Sequence, residues 1–186
     1  MITDIDAKDG KSSASVIPKR SAGQKSRNET LKTWLPKEES LDTLLDLKDE
    51  NKVFSDASGY SIRVAYQQPV LMAFKTADSA EALPNTFEDA LVYENPGLFA
   101  ELEGHGLISK FAKALKECSD LEHLSTEVTN ALAKGVKAEF ALDLLYSEEI
   151  KDLKVPAYID NGLLWLAGQL QHKEADVTGN TGGAAA

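Results

Sequence analysis

The amino-acid sequence predicts a mixed α/β protein with a small sheet in its first third and a predominantly helical remainder. Apolar and polar residues alternate over residues 61–66, as in a half-buried strand. From about Pro84 onward the apolar residues recur at helical spacing instead. Hydrophobic residues make up 42% of the 186 residues and charged residues 27%, which is ordinary for a folded domain. We therefore expect an α/β part over residues 1–75, a helical part over residues 76–173 and a disordered tail over residues 174–186.

The composition also bounds the cellular setting. No apolar run approaches the roughly 18 residues that a membrane-spanning helix needs. The first residues include acids and lack a long apolar segment, so that a secretory signal is not expected. Cys118 is the single cysteine and has no partner for an internal disulfide. These features favour a protein of the reducing cytoplasm with no membrane partner.

The first six residues carry the first candidate site. Apolar Ile2 and Ile5 flank Asp4, and Asp6 follows, so the segment is typical of a buried strand that ends at two carboxylates. Residues two apart in a strand point to the same side, and two neighbouring carboxylates repel unless a cation lies between them. Mg²⁺ is commonly bound by one or two carboxylates in this way. The alternative is a pair of exposed aspartates in a turn near a terminus.

Positive charge is concentrated next to this carboxylate pair. Residues 1–37 hold eight Lys and Arg against four acidic residues, although the net charge of the whole chain is −10. A basic segment beside acidic metal ligands is what an enzyme acting on phosphates needs. The candidate DNA contacts are Lys11, Lys19, Arg20, Lys25 and Arg27. Residues 7–25 are rich in Ser, Lys and Gly and predict a mobile loop, so the alternative is a solvated basic loop without a ligand.

Local signals then predict the elements of the first half. Ser26 and Glu29 match the spacing of a capping box, which predicts a helix from this point. Pro36 ends that helix, and its spacing places Trp34 in the core. After the strand near Ser61, the apolar run over residues 70–74 continues the sheet.

The second half reads as a series of helices. Thr86 predicts an N-cap, with Asp89 at the third helical position. Further helical patterns cover residues 97–102, 107–118, 121–133 and 137–145, and a last helix follows Pro156. A helical series after a short sheet completes the predicted α/β architecture.

Four separated stretches of the chain together carry a family resemblance. They are residues 3–6, residues 28–36, residues 86–91 with residues 94–95, and residues 137–141 followed by residues 155–159 and 162–166. In this order and spacing they resemble the C-terminal half of the Toprim nuclease domain of OLD-family (overcoming lysogenization defect) ATP-dependent endonucleases. The similarity covers roughly residues 2–171. It implies a partial Toprim-like sheet with a predominantly helical C-terminal portion.

The resemblance also implies a function, metal-dependent cleavage of DNA with Mg²⁺ or Mn²⁺. It implies that Asp4 and Asp6 are metal ligands and that Glu88 or Asp89 supplies a ligand near a second metal. It implies that Lys137 offsets negative charge on the scissile phosphate. The residues alone leave other roles open. Glu88 and Asp89 also suit a helix N-terminus, and Lys137 also fits a solvated lysine at a helix start.

The chain departs from the family pattern in what precedes the first aspartates. The family's Toprim domain has a further acidic residue, usually Glu, after an earlier strand, and this sequence holds no counterpart of it. The sequence also lacks the G-x-x-x-x-G-K-[ST] loop of an ATPase. We therefore expect an incomplete nuclease part that is inactive alone and depends on an ATPase domain in a longer protein or another chain. The alternative function is a non-catalytic interaction module that docks on a partner protein.

Overall fold

The strands of this protein are short and pair in twos. The computed structural model describes residues 1–12, 14–76 and 78–179. The strands are β1 (Ala7–Lys8), β2 (Lys25–Ser26), β3 (Val53–Ser55), β4 (Ser61–Arg63), β5 (Val70–Ala73) and β6 (Ser79–Ala82). They form three antiparallel pairs, β1–β2, β3–β4 and β5–β6. The predicted strands near Ser61 and over residues 70–74 are confirmed as β4 and β5.

The Toprim-like sheet that the resemblance implies is not confirmed in the described part of the chain. Parallel pairing there is limited to an isolated bridge between Ile2 and Ala65. The backbone of Thr3 donates to the carbonyl of Ala65, and Ala65 donates to the carbonyl of Met1. Residues 1–6 therefore run beside the chain that follows β4 without forming a continuous strand.

Helices dominate the second half, as the spacing predicts. They are α1 (Glu29–Thr33), α2 (Leu41–Asp46), α3 (Phe87–Glu94), α4 (Pro96–Glu101), α5 (Gly106–Glu117), α6 (Leu121–Lys134), α7 (Lys137–Tyr146) and α8 (Ala157–Gly179), with 3-10 turns at Asp49–Lys52 and Glu148–Asp152. Thr86 is the N-cap of α3 and Asp89 its third residue, as predicted, and together they form a capping box. The described structure is thus mixed α/β with small strand pairs.

The start of α1 differs from the prediction. Its N-cap is Asn28, whose side chain accepts from the backbone of Thr30, and Ser26 lies two residues earlier. The Ser26 hydroxyl instead accepts from the Asn28 backbone and donates to the carbonyl of Ile5. Trp34, expected in the core, is 45% exposed, because α1 ends at Thr33 and its buried residue is Leu31.

Two apolar cores lie side by side. The first is built around the N-terminal segment and α1–α2, and it comprises Ile5, Ala7, Leu31, Leu41, Leu44, Leu45, Val64 and Tyr66. The second is larger and packs α3–α7 against β5 and β6. At its centre Phe111 contacts Phe99 and Phe140 edge-on, an arrangement that adds about 0.5–1.5 kcal/mol per ring pair to burial. A small cluster of Ala65, Ala90 and Tyr158 joins α3 and α8 to the N-terminal region.

Residues 7–25, predicted to be a mobile loop, are tied down in the described structure. The backbone of Asp9 donates to Ala14, and Val16 donates to Ala7. The side chain of Gln24 bonds both the carbonyl of Ile17 and the backbone N–H of Lys19. These hydrogen bonds depend on the folded backbone, so they could not be predicted from the Ser- and Lys-rich composition.

The predicted disordered tail falls partly on residues 180–186, which lie outside the described residues. The backbone of residues 174–179 continues α8. Among the described residues, none of the helices is both long enough and apolar enough to cross a lipid bilayer.

Candidate functional site

Asp4 lies in a short segment that is held from several sides. The side-chain amide of Asn28 donates to the Asp4 carbonyl and to the Thr3 hydroxyl, both at 2.6 Å. On the carboxylate, Oδ1 accepts from Nε2 of Gln67. The residue that caps α1 therefore also fixes the backbone at Asp4, which explains why two distant stretches of the sequence meet here.

Asp6 does not stand beside Asp4 as a regular strand requires. Its φ is +55°, in the left-handed region, so the alternation of side chains breaks at this residue. Its carboxylate pairs with Arg27 at 2.7 Å. The regular strand that was expected to hold the two aspartates side by side is therefore not formed at Asp6. The charge of Asp6 nevertheless acts on Asp4.

Asp89 serves the start of α3. Its Oδ1 accepts from the backbone of Thr86 and Ala90 and from the Thr86 hydroxyl, and its Oδ2 accepts from the backbone of Asn85. Burial raises the pKa of this carboxyl group to about 7, while the four donors act in the opposite direction. Both oxygens accept hydrogen bonds at the start of α3, so a metal ion at Asp89 would have to compete with these donors.

Asn85 links this helix start to the N-terminal segment. Its carbonyl accepts from the backbone of Asp6 at 3.4 Å, and its side-chain oxygen accepts from the backbone of Ala7 at 2.6 Å. Asp89 holds Asn85, and Asn85 holds the residues that follow Asp4. This chain of contacts fixes the position of Glu88 relative to Asp4.

Glu88 and Lys137 meet directly. Nζ of Lys137 lies 2.7 Å from Oε2 of Glu88, and the two side chains are 48% and 11% exposed. Lys137 is the first residue of α7, where the helix dipole disfavours a cation, so the contact with Glu88 offsets an unfavourable position. Two residues that the resemblance assigns to one site are thus brought together from α3 and α7.

Asp4 belongs to the same electrostatic cluster. Burial raises the pKa of its carboxyl group, and the charges of Glu88 and Asp6 add to the rise. The Gln67 hydrogen bond and the charge of Lys137 act against it. The charges of Glu88 and Lys137 thus act on the Asp4 carboxyl group in opposite directions, and Lys137 contacts Glu88 directly.

This donor set suits a hard divalent cation only in part. Across the described residues no group of three His, Cys, Asp or Glu side chains converges as a complete metal centre. Mg²⁺, however, commonly takes one or two protein carboxylates and keeps several waters. Asp4 and Glu88 are the carboxylates that would serve such an ion, with its remaining ligands from water or phosphate.

The predicted DNA contacts are largely neutralised by acidic partners. Lys19 pairs with Glu122, Arg20 with Asp46 and Glu81, Lys25 with Glu39, and Arg27 with Asp6. The side chains of Lys19 and Arg20 also line a cavity of about 650 Å³ against α6. Lys11 is exposed in the loop that Asp9 stabilises. The basic segment is thus less available to phosphates than its composition suggests.

Sequence reasoning did not single out two polar side chains behind Asp4. Gln67 is fully buried, and its Nε2 also donates to the hydroxyl of Tyr158 at 3.2 Å. Burial raises the pKa of Tyr158, and the charge of Asp4 contributes to the rise. Tyr158 lies within one of the family-like stretches, but no periodicity or motif marks Gln67.

Comparison with known proteins adds no family to this geometry. No family model matches the chain, and neither a curated protein nor a solved structure matches it. The function therefore has to be argued from the cluster of Asp4, Glu88 and Lys137.

Proposed function

We propose that the chain is the Toprim part of an OLD-family ATP-dependent nuclease, and that Asp4, Glu88 and Lys137 form its site for metal-dependent hydrolysis of DNA. The observation that carries the proposal is the contact between Lys137 and Glu88. The charges of both residues also act on the carboxyl group of Asp4. These are three of the residues that the family resemblance selects, and they come from distant parts of the chain. A solvated lysine at a helix start would not need to contact a residue that the same family resemblance assigns to the site.

Asp4 and Glu88 are the residues that would hold Mg²⁺ or Mn²⁺. Both are carboxylates in a partly buried setting, and their combined charge exceeds that of Lys137. When bound, such an ion supplies Lewis-acid stabilisation of a reacting phosphate. Asn28 and Asn85 hold the backbone around Asp4 by hydrogen bonds, and this fixes the position from which the Asp4 carboxylate projects.

Lys137 supplies positive charge to the reacting phosphate. It pairs with Glu88, and its half-exposed side chain lies where an incoming anion can reach it. Charge on the phosphate grows in the transition state, so this lysine contributes most there. DNA is the proposed substrate, and an ATPase domain from the longer protein or another chain is the proposed partner.

Metal binding provides the direct test of this function. We expect Mn²⁺ binding, measured by electron paramagnetic resonance titration, to weaken at least about tenfold in Asp4→Asn and in Glu88→Gln, because each loses a charged ligand. Asp6→Asn should cause a smaller loss, since that carboxylate pairs with Arg27. The exposed Glu117→Gln on α5 is the matched control. Equal affinity of all variants and the wild type would exclude the proposed site.

The second candidate function, a non-catalytic interaction module, is favoured by the surface of α7 and α8. Leu145 and Tyr146 are 65% and 86% exposed, and Leu164 and Leu170 are 63% and 60% exposed. Large exposed apolar side chains mark a contact with another protein when they form one patch, and these four are the candidates for such a patch. Sedimentation analysis measures whether the isolated chain associates with itself, and the Mn²⁺ titration is carried out on the same preparation. A monomer that binds Mn²⁺ would favour the nuclease site over the module.

A further inference from the structure

The side chain of Gln67 lies directly behind the Asp4 carboxylate. It is fully buried, and both the oxygen and the nitrogen of its side-chain amide are hydrogen-bonded. Its Oε1 accepts from the backbone of Ile5 at 2.7 Å. Its Nε2 donates to Oδ1 of Asp4 and to the hydroxyl of Tyr158. A buried amide with every polar contact assigned in this way is costly to disturb, because each lost partner leaves a buried polar group unpaired.

The direction of the Gln67 amide is fixed by its partners. The Ile5 N–H can only donate, so the oxygen of the amide must face it. The nitrogen then faces Asp4, whose carboxylate can only accept when ionised. A flipped amide would oppose donor to donor at Ile5 and acceptor to acceptor at Asp4. Gln67 therefore specifies one orientation of the Asp4 side chain.

We propose that Gln67 is the positioning residue of the candidate site, with Tyr158 as its support. Gln67 binds one oxygen of Asp4 and leaves the other for a metal ion. Because the Asp4 side chain is already held in one rotamer, it loses little conformational entropy when the ion binds. Tyr158 takes the second N–H of the amide and comes from the start of α8, which ties this orientation to helix packing. The inference rests on the proposed function, because it assigns Asp4 as a ligand.

Gln68 offers a matched control in the next position. Its Oε1 accepts from Nζ of Lys52 at 3.0 Å, and its Nε2 donates to the carbonyls of Tyr66 and Gln67. It has the same side-chain chemistry as Gln67 and is only partly buried, and none of these bonds joins its side chain to Asp4. Gln67→Met and Gln68→Met therefore differ in their relation to the site.

The test measures Mn²⁺ affinity well below the melting temperature of each variant. We expect Gln67→Met to weaken binding about tenfold, as removal of a residue that orients a ligand does, and Gln68→Met to match the wild type. Tyr158→Phe should cause a smaller loss. In an Asp4→Asn background Gln67→Met should add no further loss, because Gln67 acts through Asp4. A purely structural Gln67 would weaken both backgrounds alike, and that result would overturn the inference.

Nuclear magnetic resonance provides a measurement that does not depend on folding of the Gln67 variant. The side-chain amide resonances of Gln67 should shift in Asp4→Asn while those of Gln68 stay in place. Unmoved Gln67 resonances would also overturn the inference. Two failures remain distinct: equal Mn²⁺ affinity of the wild type and Asp4→Asn defeats the proposed function together with this inference. Loss in Asp4→Asn with wild-type affinity in Gln67→Met defeats the inference alone.

Discussion

Neighbouring acids in this chain have different tasks, and Glu88 and Asp89 are the clearest example. Successive helical residues point about 100° apart, so one of the two faces Lys137 while the other turns back to the helix start. Glu88 keeps its carboxylate at the edge of the site, and Asp89 spends both oxygens on backbone N–H groups. The pair therefore contributes one candidate ligand and one cap.

The different tasks of these acids predict different effects of substitution. Asp89→Asn places an NH₂ group against the Asn85 N–H or the Thr86 N–H, so we expect the free energy of unfolding to fall by about 1–3 kcal/mol. Urea denaturation measures this loss. Mn²⁺ affinity of the folded variant should fall less than in Glu88→Gln. A stable Asp89→Asn protein that loses metal binding would instead make Asp89 the ligand.

What could be predicted from the sequence differs among these residues. Asp4, Glu88 and Lys137 belong to stretches that carry a family pattern, so they could be named before their positions were known. Gln67 could not, because its importance comes from three partners that only the folded chain places around it. The left-handed φ of Asp6 is similarly invisible, since aspartate adopts both that conformation and a strand.

At the scale of elements, α8 connects the site to the rest of the fold. Tyr158 in its first turn contacts Gln67, and Gly162 lies one turn later on the same face. A Cβ atom at Gly162 would lie 3.1 Å from the Cβ of Ala65, whereas nothing lies within 4 Å of one at Gly168. The close approach of α8 to residue 65 therefore depends on glycine at the first position.

These two glycines give a matched prediction. Gly162→Val should cost about 1–3 kcal/mol of unfolding free energy, because the added methyl groups push α8 away from Ala65. Gly168→Val should change stability by no more than about 0.5 kcal/mol, since valine differs little from glycine in helix propensity there. Thermal denaturation of both variants makes the comparison. Equal losses would mean that α8 does not pack closely at residue 162.

Elements with strong local signals were the most predictable. The capping box of Thr86 and Asp89 marks the start of α3, and Pro156 immediately precedes α8. The start of α1 was placed wrongly because Ser26 and Asn28 both suit an N-cap, and the choice depends on the contact of Asn28 with Asp4. Strand pairing was the least predictable, because short strands choose partners through the whole fold.

At the scale of the whole molecule, the candidate site takes residues from the edges of both apolar cores. Asp4 precedes Ile5 of the first core, and Glu88 belongs to α3, which packs in the second. This position explains why the site is built from distant stretches rather than from one local motif.

The charge distribution of the whole molecule bears on DNA binding. The net charge is −10, and four of the five predicted DNA contacts are paired with acids. Paired cations attract phosphates only when the pair opens, so nonspecific affinity should be modest and should fall as salt rises. The proposed nuclease function therefore requires that other parts of the complete enzyme bring DNA to this site.

Cleavage by a reconstituted nuclease separates catalysis from DNA binding. With the ATPase-containing part of an OLD-family nuclease supplied in trans or by fusion, we expect plasmid nicking that requires a divalent cation. Lys137→Ala should lower the turnover about 100-fold and leave DNA affinity in filter binding nearly unchanged, because the lysine acts on charge that develops in the transition state. Lys134→Ala, an exposed lysine at the end of α6, is the control.

The triple variant Lys11→Ala, Lys19→Ala and Lys25→Ala should lower affinity and leave turnover intact. If Lys137→Ala nicks DNA as fast as Lys134→Ala, Lys137 is a partner of Glu88 in folding and has no part in the reaction.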